Sequence, residues 1–85
     1  MPVKSVIIER SVRKRLPKLP LNIHRRMIKA FEDLSFNPLK GVKLFGELSE
    51  YHKLRVGDYR IIYQFDSEKS RVIIVKVEHR QGVYK

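Results

Sequence analysis

Residues 51–63 read Tyr51-His52-Lys53-Leu54-Arg55-Val56-Gly57-Asp58-Tyr59-Arg60-Ile61-Ile62-Tyr63. Two β-branched and aromatic runs flank Gly57-Asp58, the pattern of a hairpin closed by a two-residue turn. Such a turn sets the register. Val56 faces Tyr59, Arg55 faces Arg60, Leu54 faces Ile61, Lys53 faces Ile62, His52 faces Tyr63 and Tyr51 faces Gln64. Opposed residues share a sheet face. His52, Leu54, Val56, Tyr59, Ile61 and Tyr63 then form a core face. Tyr51, Lys53, Arg55, Arg60, Ile62 and Gln64 form the other, which is cationic and carries no carboxylate. Arg55 opposite Arg60 is a like-charge pair that costs stability unless an anion lies between them. The face therefore reads as a phosphate site. The competing reading is two long side chains splayed into water and screened by salt.

Outward from the hairpin, residues 71–77 are β-branched and predict a third strand after the polar turn at residues 66–70. Residues 3–9 predict a first strand. Ser11 to Leu16 predicts a short helix, with Ser11 as its cap and Pro17 at its end. Beyond Pro20, the apolar residues Ile23, Met27, Phe31 and Leu34 recur every three or four positions. This predicts an amphipathic helix of about 14 residues, stopped at Asn37-Pro38. The expected architecture is a single α+β domain over residues 1–85, in the order β-α-α-β-β-β. Its two N-terminal helices pack on one face of a twisted antiparallel sheet.

The 85 residues include 19 Lys or Arg against 9 Asp or Glu, a net charge of +10. A small domain with that imbalance repels itself. The excess points to a polyanionic or acidic partner, with a solubilising surface as the bland alternative. Eight of the basic residues fall between Arg10 and Lys29, where there is no acid. That stretch reads either as a solvated helical surface or as a docking surface for RNA, a ribosome or an acidic protein. The absence of cysteine excludes disulfides, thiolate metal sites and cysteine nucleophiles. No apolar run approaches a membrane span or a secretory signal, so the expectation is a soluble, cytoplasmic protein.

Three blocks resemble the RelE/ParE superfamily of toxins from type II toxin–antitoxin systems. They are Lys43-Leu44-Phe45-Gly46, the hairpin from Tyr51 to Tyr63, and Val77-Glu78-His79-Arg80 with Val83-Tyr84. The resemblance spans essentially the whole chain. It implies a ribosome-dependent endoribonuclease that cuts mRNA in the A site and needs no metal or other cofactor. It also implies a cognate antitoxin, here expected to be acidic and partly disordered, with operator DNA reached only through the toxin–antitoxin complex. By the same resemblance Lys53 lies near the scissile phosphate and Arg60 holds it. Arg80 stabilises or protonates the leaving group, and Tyr84 orients or activates the ribose 2′-hydroxyl. Lys43, Tyr51, Arg55 and His79 are the candidate substrate-binding residues around them. His79, Arg80 and Tyr84 are expected to fold over the rim of the cationic face. This chain departs from the family at Tyr51, two positions before Lys53, where some members carry a second lysine, and at Glu78, where glycine is common.

Transesterification builds charge on phosphate oxygens, and preset cations are its natural stabilisers. Neighbouring cations also favour the ionised form of a tyrosine such as Tyr84. Three rival readings remain open. One is a ParE-like toxin that inhibits gyrase without being a nuclease. Another is a YoeB-like enzyme with a glutamate–histidine pair, for which Glu50 and His79 are candidates. The last is a basic RNA-binding module without cleavage.

Overall fold

The Gly57-Asp58 turn forms as expected, with Gly57 at a φ of +59°, a conformation open to glycine and costly for most other residues. All six residue pairs of the hairpin adopt the predicted register. The computed structural model describes residues 2–48 and 50–79. Within them the elements are β1 (Ser5–Ile8), α1 (Arg10–Arg15), α2 (Leu21–Phe36), β2 (Val42–Lys43), β3 (Tyr51–Val56), β4 (Tyr59–Asp66) and β5 (Arg71–His79). Single 3₁₀ turns lie at Leu16–Lys18 and Gly46–Leu48.

The sheet has five strands in the order β1-β5-β4-β3-β2. It is mixed rather than wholly antiparallel, because β1 runs parallel to β5. The order of elements explains this. The two helices after β1 carry the chain to β2 at the far edge of the sheet, and the antiparallel run β2-β3-β4-β5 then returns it to lie beside β1, so that the long connection a parallel pair needs is made of helices and meander together. The short strand β2 adds an edge beyond β3.

The ends of α1 also differ from expectation. Glu9 occupies the cap position, its carbonyl accepting from the N–H groups of Val12 and Arg13, and Ser11 lies inside the helix. Pro17 sits within the 3₁₀ turn that follows. The apolar stripe of α2 buries Met27, Ala30, Phe31 and Leu34 against Val56, Ile61, Tyr63, Val72, Ile74 and Val77 of the sheet. The helices therefore cover one face of the sheet and leave the cationic face open. Among the described residues, no helix is long and apolar enough to cross a membrane.

Candidate RNA-binding groove

A β-bulge decides what the open face contains. Down β4 and β5 the pairs run Tyr59–His79, Arg60–Glu78, Ile61–Val77 and Ile62–Lys76, and then shift to Tyr63–Ile74. Val75 is the extra residue. Strict alternation from the buried Val72 and Ile74 would turn Lys76 and Glu78 inward. The bulge resets the phase instead. Val77 enters the core, and Lys76 and Glu78 emerge on the open face beside Ile62 and Arg60.

The result is a groove of about 450 Å³ lined by Tyr51, Lys53, Arg60, Lys76 and Glu78, with the apolar side chains of Ile62 on β4, Val75 on β5 and Leu44 just after β2. Lys53 is exposed. Arg60 donates from Nε to Glu78 Oε1 at 2.6 Å, and Lys76 Nζ lies 3.2 Å from Glu78 Oε2. Burial works to raise the pKa of Glu78. The hydrogen bonds and positive charges of Arg60 and Lys76 outweigh it and hold the carboxyl below its ordinary range. Glu78 is therefore an ionised internal counter-ion.

This corrects the expectation of a face free of carboxylates. Glu78 comes from β5, outside the hairpin whose residues set that expectation. It also removes the argument from Arg55–Arg60 repulsion. Arg60 is neutralised by Glu78, and Arg55 Nε donates to the carbonyl of Gly57 at 3.3 Å. Three cations, Lys53, Arg60 and Lys76, face one carboxylate in a single groove, which leaves it net positive and suited to an anion.

The structure brings Tyr51, Lys53 and Arg60 together and adds Lys76, which the sequence reading missed. Arg55 shares the open face but does not line the groove. Lys43 is opposite His52, which places it on the helix-covered face, where its charge and the burial of His52 both lower the His52 pKa, burial more strongly. His79 does not fold over the groove rim. It ends β5 on the opposite face, its ring edge-on to Tyr59 at 4.7 Å. Glu50 precedes β3 at the open end of the hairpin, whereas His79 is opposite Tyr59 at the turn end. No glutamate–histidine pair forms from these two. Arg80 and Tyr84 lie outside the described residues.

The floor of the site is braced from the core side. The fully buried Tyr63 donates its hydroxyl to the carbonyl of Pro38 at 2.8 Å and accepts from the N–H of Gly41 at 2.9 Å. His52 stacks on its ring at 5.2 Å. A Cβ at Gly41 would lie 2.6 Å from the carbonyl oxygen of Lys53 and 2.7 Å from the Tyr63 hydroxyl. Glycine is thus what lets the segment after α2 close against the strand that presents Lys53.

Comparison with known proteins agrees with this architecture. Toxin RelG of Mycobacterium tuberculosis is 39% identical over 77 residues, covering 88% of each chain. Toxin RelE of the same organism is 32% identical over 82 residues, covering 94% of this chain and 84% of the relative. The toxin in the crystal structure of the M. tuberculosis RelBE2 toxin–antitoxin complex is 38% identical and superposes with a TM-score of 0.84, covering 94% of this chain and all of that one. Residues 6–84 match the family model for the ParE toxin of the type II toxin–antitoxin system parDE. The chain belongs to the RelE/ParE superfamily of type II toxin–antitoxin toxins.

Proposed function

We propose that this toxin is a RelE-like endoribonuclease that cleaves mRNA in the ribosomal A site, and so inhibits translation in the cytoplasm. The observation that carries this reading is the groove in which Tyr51, Lys53 and Arg60 converge. The 2′-hydroxyl attacks the adjacent phosphorus, a new O2′–P bond forms and the P–O5′ bond breaks. The products are a 2′,3′-cyclic phosphate and a 5′-hydroxyl. Arg60 presents a planar fork to the phosphate oxygens, and Lys53 and Lys76 add point charges where negative charge grows. Tyr84 takes the proton of the 2′-hydroxyl, and Arg80 neutralises or protonates the departing oxygen. Lining up the 2′-hydroxyl matters as much as the proton transfer, because orientation alone can be worth several kcal/mol. The chemistry assigned to these residues uses no metal or cofactor.

A cognate antitoxin neutralises the toxin, and the pair represses its own operon through operator DNA. Net charge favours an acidic partner. The relative in the RelBE2 structure is in complex with its antitoxin. The exposed apolar side chains of Phe36, Leu39, Val42 and Phe45, near the edge strand β2, also suit a protein partner.

Primer extension on translated mRNA is expected to show cuts within codons at the A site, lost with Arg60→Ala. Equal cutting of naked RNA refutes the ribosome dependence. The match to the ParE family model supports a second reading, a gyrase poison without nuclease activity. Accumulation of topoisomerase cleavage complexes with intact mRNA decides for that alternative.

A further inference from the structure

We propose that the groove is one end of a longer single-stranded RNA track that leaves the sheet beside the bulge and continues over α1, with Arg15, Lys14 and Lys18 as further phosphate contacts. The inference rests on the RNA-cleaving reading above. A strand that lodges one linkage in the groove must leave it, and the surroundings of Lys76 offer a way out. β1 pairs with β5 only as far as Ile74, so among the described residues the last part of β5 has no strand neighbour on that side. The backbone N–H of Glu9 caps Ile74, and α1 turns in to pack against β5.

A cleft of about 280 Å³ opens there between Val75 and Lys76 on one side and Ser11 and Arg15 on the other. It shares Val75 and Lys76 with the groove. It shares Ser11 and Arg15 with a further cleft of about 450 Å³, where Lys14, Lys18 and the ring of Tyr59 join them. The three hollows thus form one chain of linked depressions. Among the described residues, no carboxylate lines either of the two beyond the groove. The ion pairs among the described residues involve none of Lys14, Arg15 and Lys18. Cations without counter-ions, set along a continuous path with an aromatic ring at its far end, are what a single nucleic-acid strand recognises.

The test uses the full chain and two 2′-O-methyl RNAs, which cannot be cleaved: a trinucleotide that fits the groove and a dodecamer that can follow the track. Binding is read by fluorescence anisotropy across a salt series. The wild-type protein is expected to bind the dodecamer more tightly. The triple variant Lys14→Gln/Arg15→Gln/Lys18→Gln is expected to lose about 2 from the slope of log K against log salt for the dodecamer, at about 0.7 per single-strand phosphate contact. That is roughly a 100-fold loss of affinity near 0.1 M salt, with trinucleotide binding unchanged. Lys14→Arg/Lys18→Arg is expected to keep the wild-type slope.

A triple variant that retains the dodecamer slope overturns the track. An equal loss for both oligonucleotides also overturns it, because the three cations then act as general charge. Retained dodecamer binding with lost binding to polyglutamate assigns the surface to an acidic protein and overturns the inference. A wild-type protein that binds neither RNA fails at the groove, a result distinguishable from all of these.

Discussion

Glu78→Gln isolates the charge of the internal counter-ion. Glutamine keeps an oxygen able to accept from Arg60 Nε, now 2.6 Å from the carboxylate, but it removes one negative charge from the groove wall. A cavity of about 450 Å³ has a radius close to 5 Å if spherical, so a bound phosphate lies roughly that far from Glu78. Two unit charges at about 5 Å repel by about 0.8 kcal/mol in water and about 3 kcal/mol at an effective dielectric of 20. The groove is open to solvent, which favours the lower half of that range. About 1–2 kcal/mol corresponds to a gain in affinity of roughly 5- to 30-fold. The expected outcome is that Glu78→Gln binds a 2′-O-methyl trinucleotide more tightly by about that factor at low salt, with the advantage shrinking as salt rises. Binding weakened to the level of Arg60→Gln refutes the reasoning, because Glu78 would then be needed to hold Arg60 in place. Stability supplies a second readout. The folded pKa of Glu78 lies below its unfolded value, so its contribution is present above the unfolded pKa and is lost as pH falls through the folded pKa. The melting-temperature gap between wild type and Glu78→Gln should therefore be present at neutral pH and close in strong acid.

Other expected outcomes concern the brace, the histidine beside it and the C-terminal residues. Tyr63→Phe strands the N–H of Gly41 and the carbonyl of Pro38 and should cost about 1–3 kcal/mol, read in denaturant titrations; an unchanged midpoint counts against the brace. Gly41→Ala forces a Cβ against the Lys53 carbonyl and the buried Tyr63 ring and should also cost about 1–3 kcal/mol, visible as a melting point lower by about 4–8 °C per kcal/mol. His52 has a folded pKa below its ordinary 6.5, so wild-type stability should fall as pH drops through that unfolded value. His52→Gln should flatten this part of the pH–stability curve, and an unaltered curve would assign the titration to another group. Arg80→Ala and Tyr84→Phe should each relieve growth arrest while the protein still folds by circular dichroism; full toxicity in both removes them from the chemistry.

The order of elements and the hairpin register were legible in the sequence because they depend on local rules. A two-residue turn admits one pairing, a period of two marks strands, and the spacing of Met27, Phe31 and Leu34 marks a helical face. The same rules place Tyr51, Lys53 and Arg60 on one open face. The parallel pairing of β1 with β5 was not legible, because it joins segments some 66 residues apart; local patterning does not say which sheet edge a strand will take.

The composition of the groove lay beyond the sequence for the same reason. A single extra residue at Val75 inverts the facing of everything after it in β5. Nothing in the Val72–Val75 apolar run marks which of its members will bulge. That choice is made by core packing, which places Ile74 and Val77 inward together and so delivers Lys76 and Glu78 to Arg60. The sequence by itself determined the hairpin, its cationic side and the helices that cover its other side. Only the tertiary structure decided that an acid would sit among those cations, because the facing of β5 is set by contacts across the core and not by neighbours along the chain.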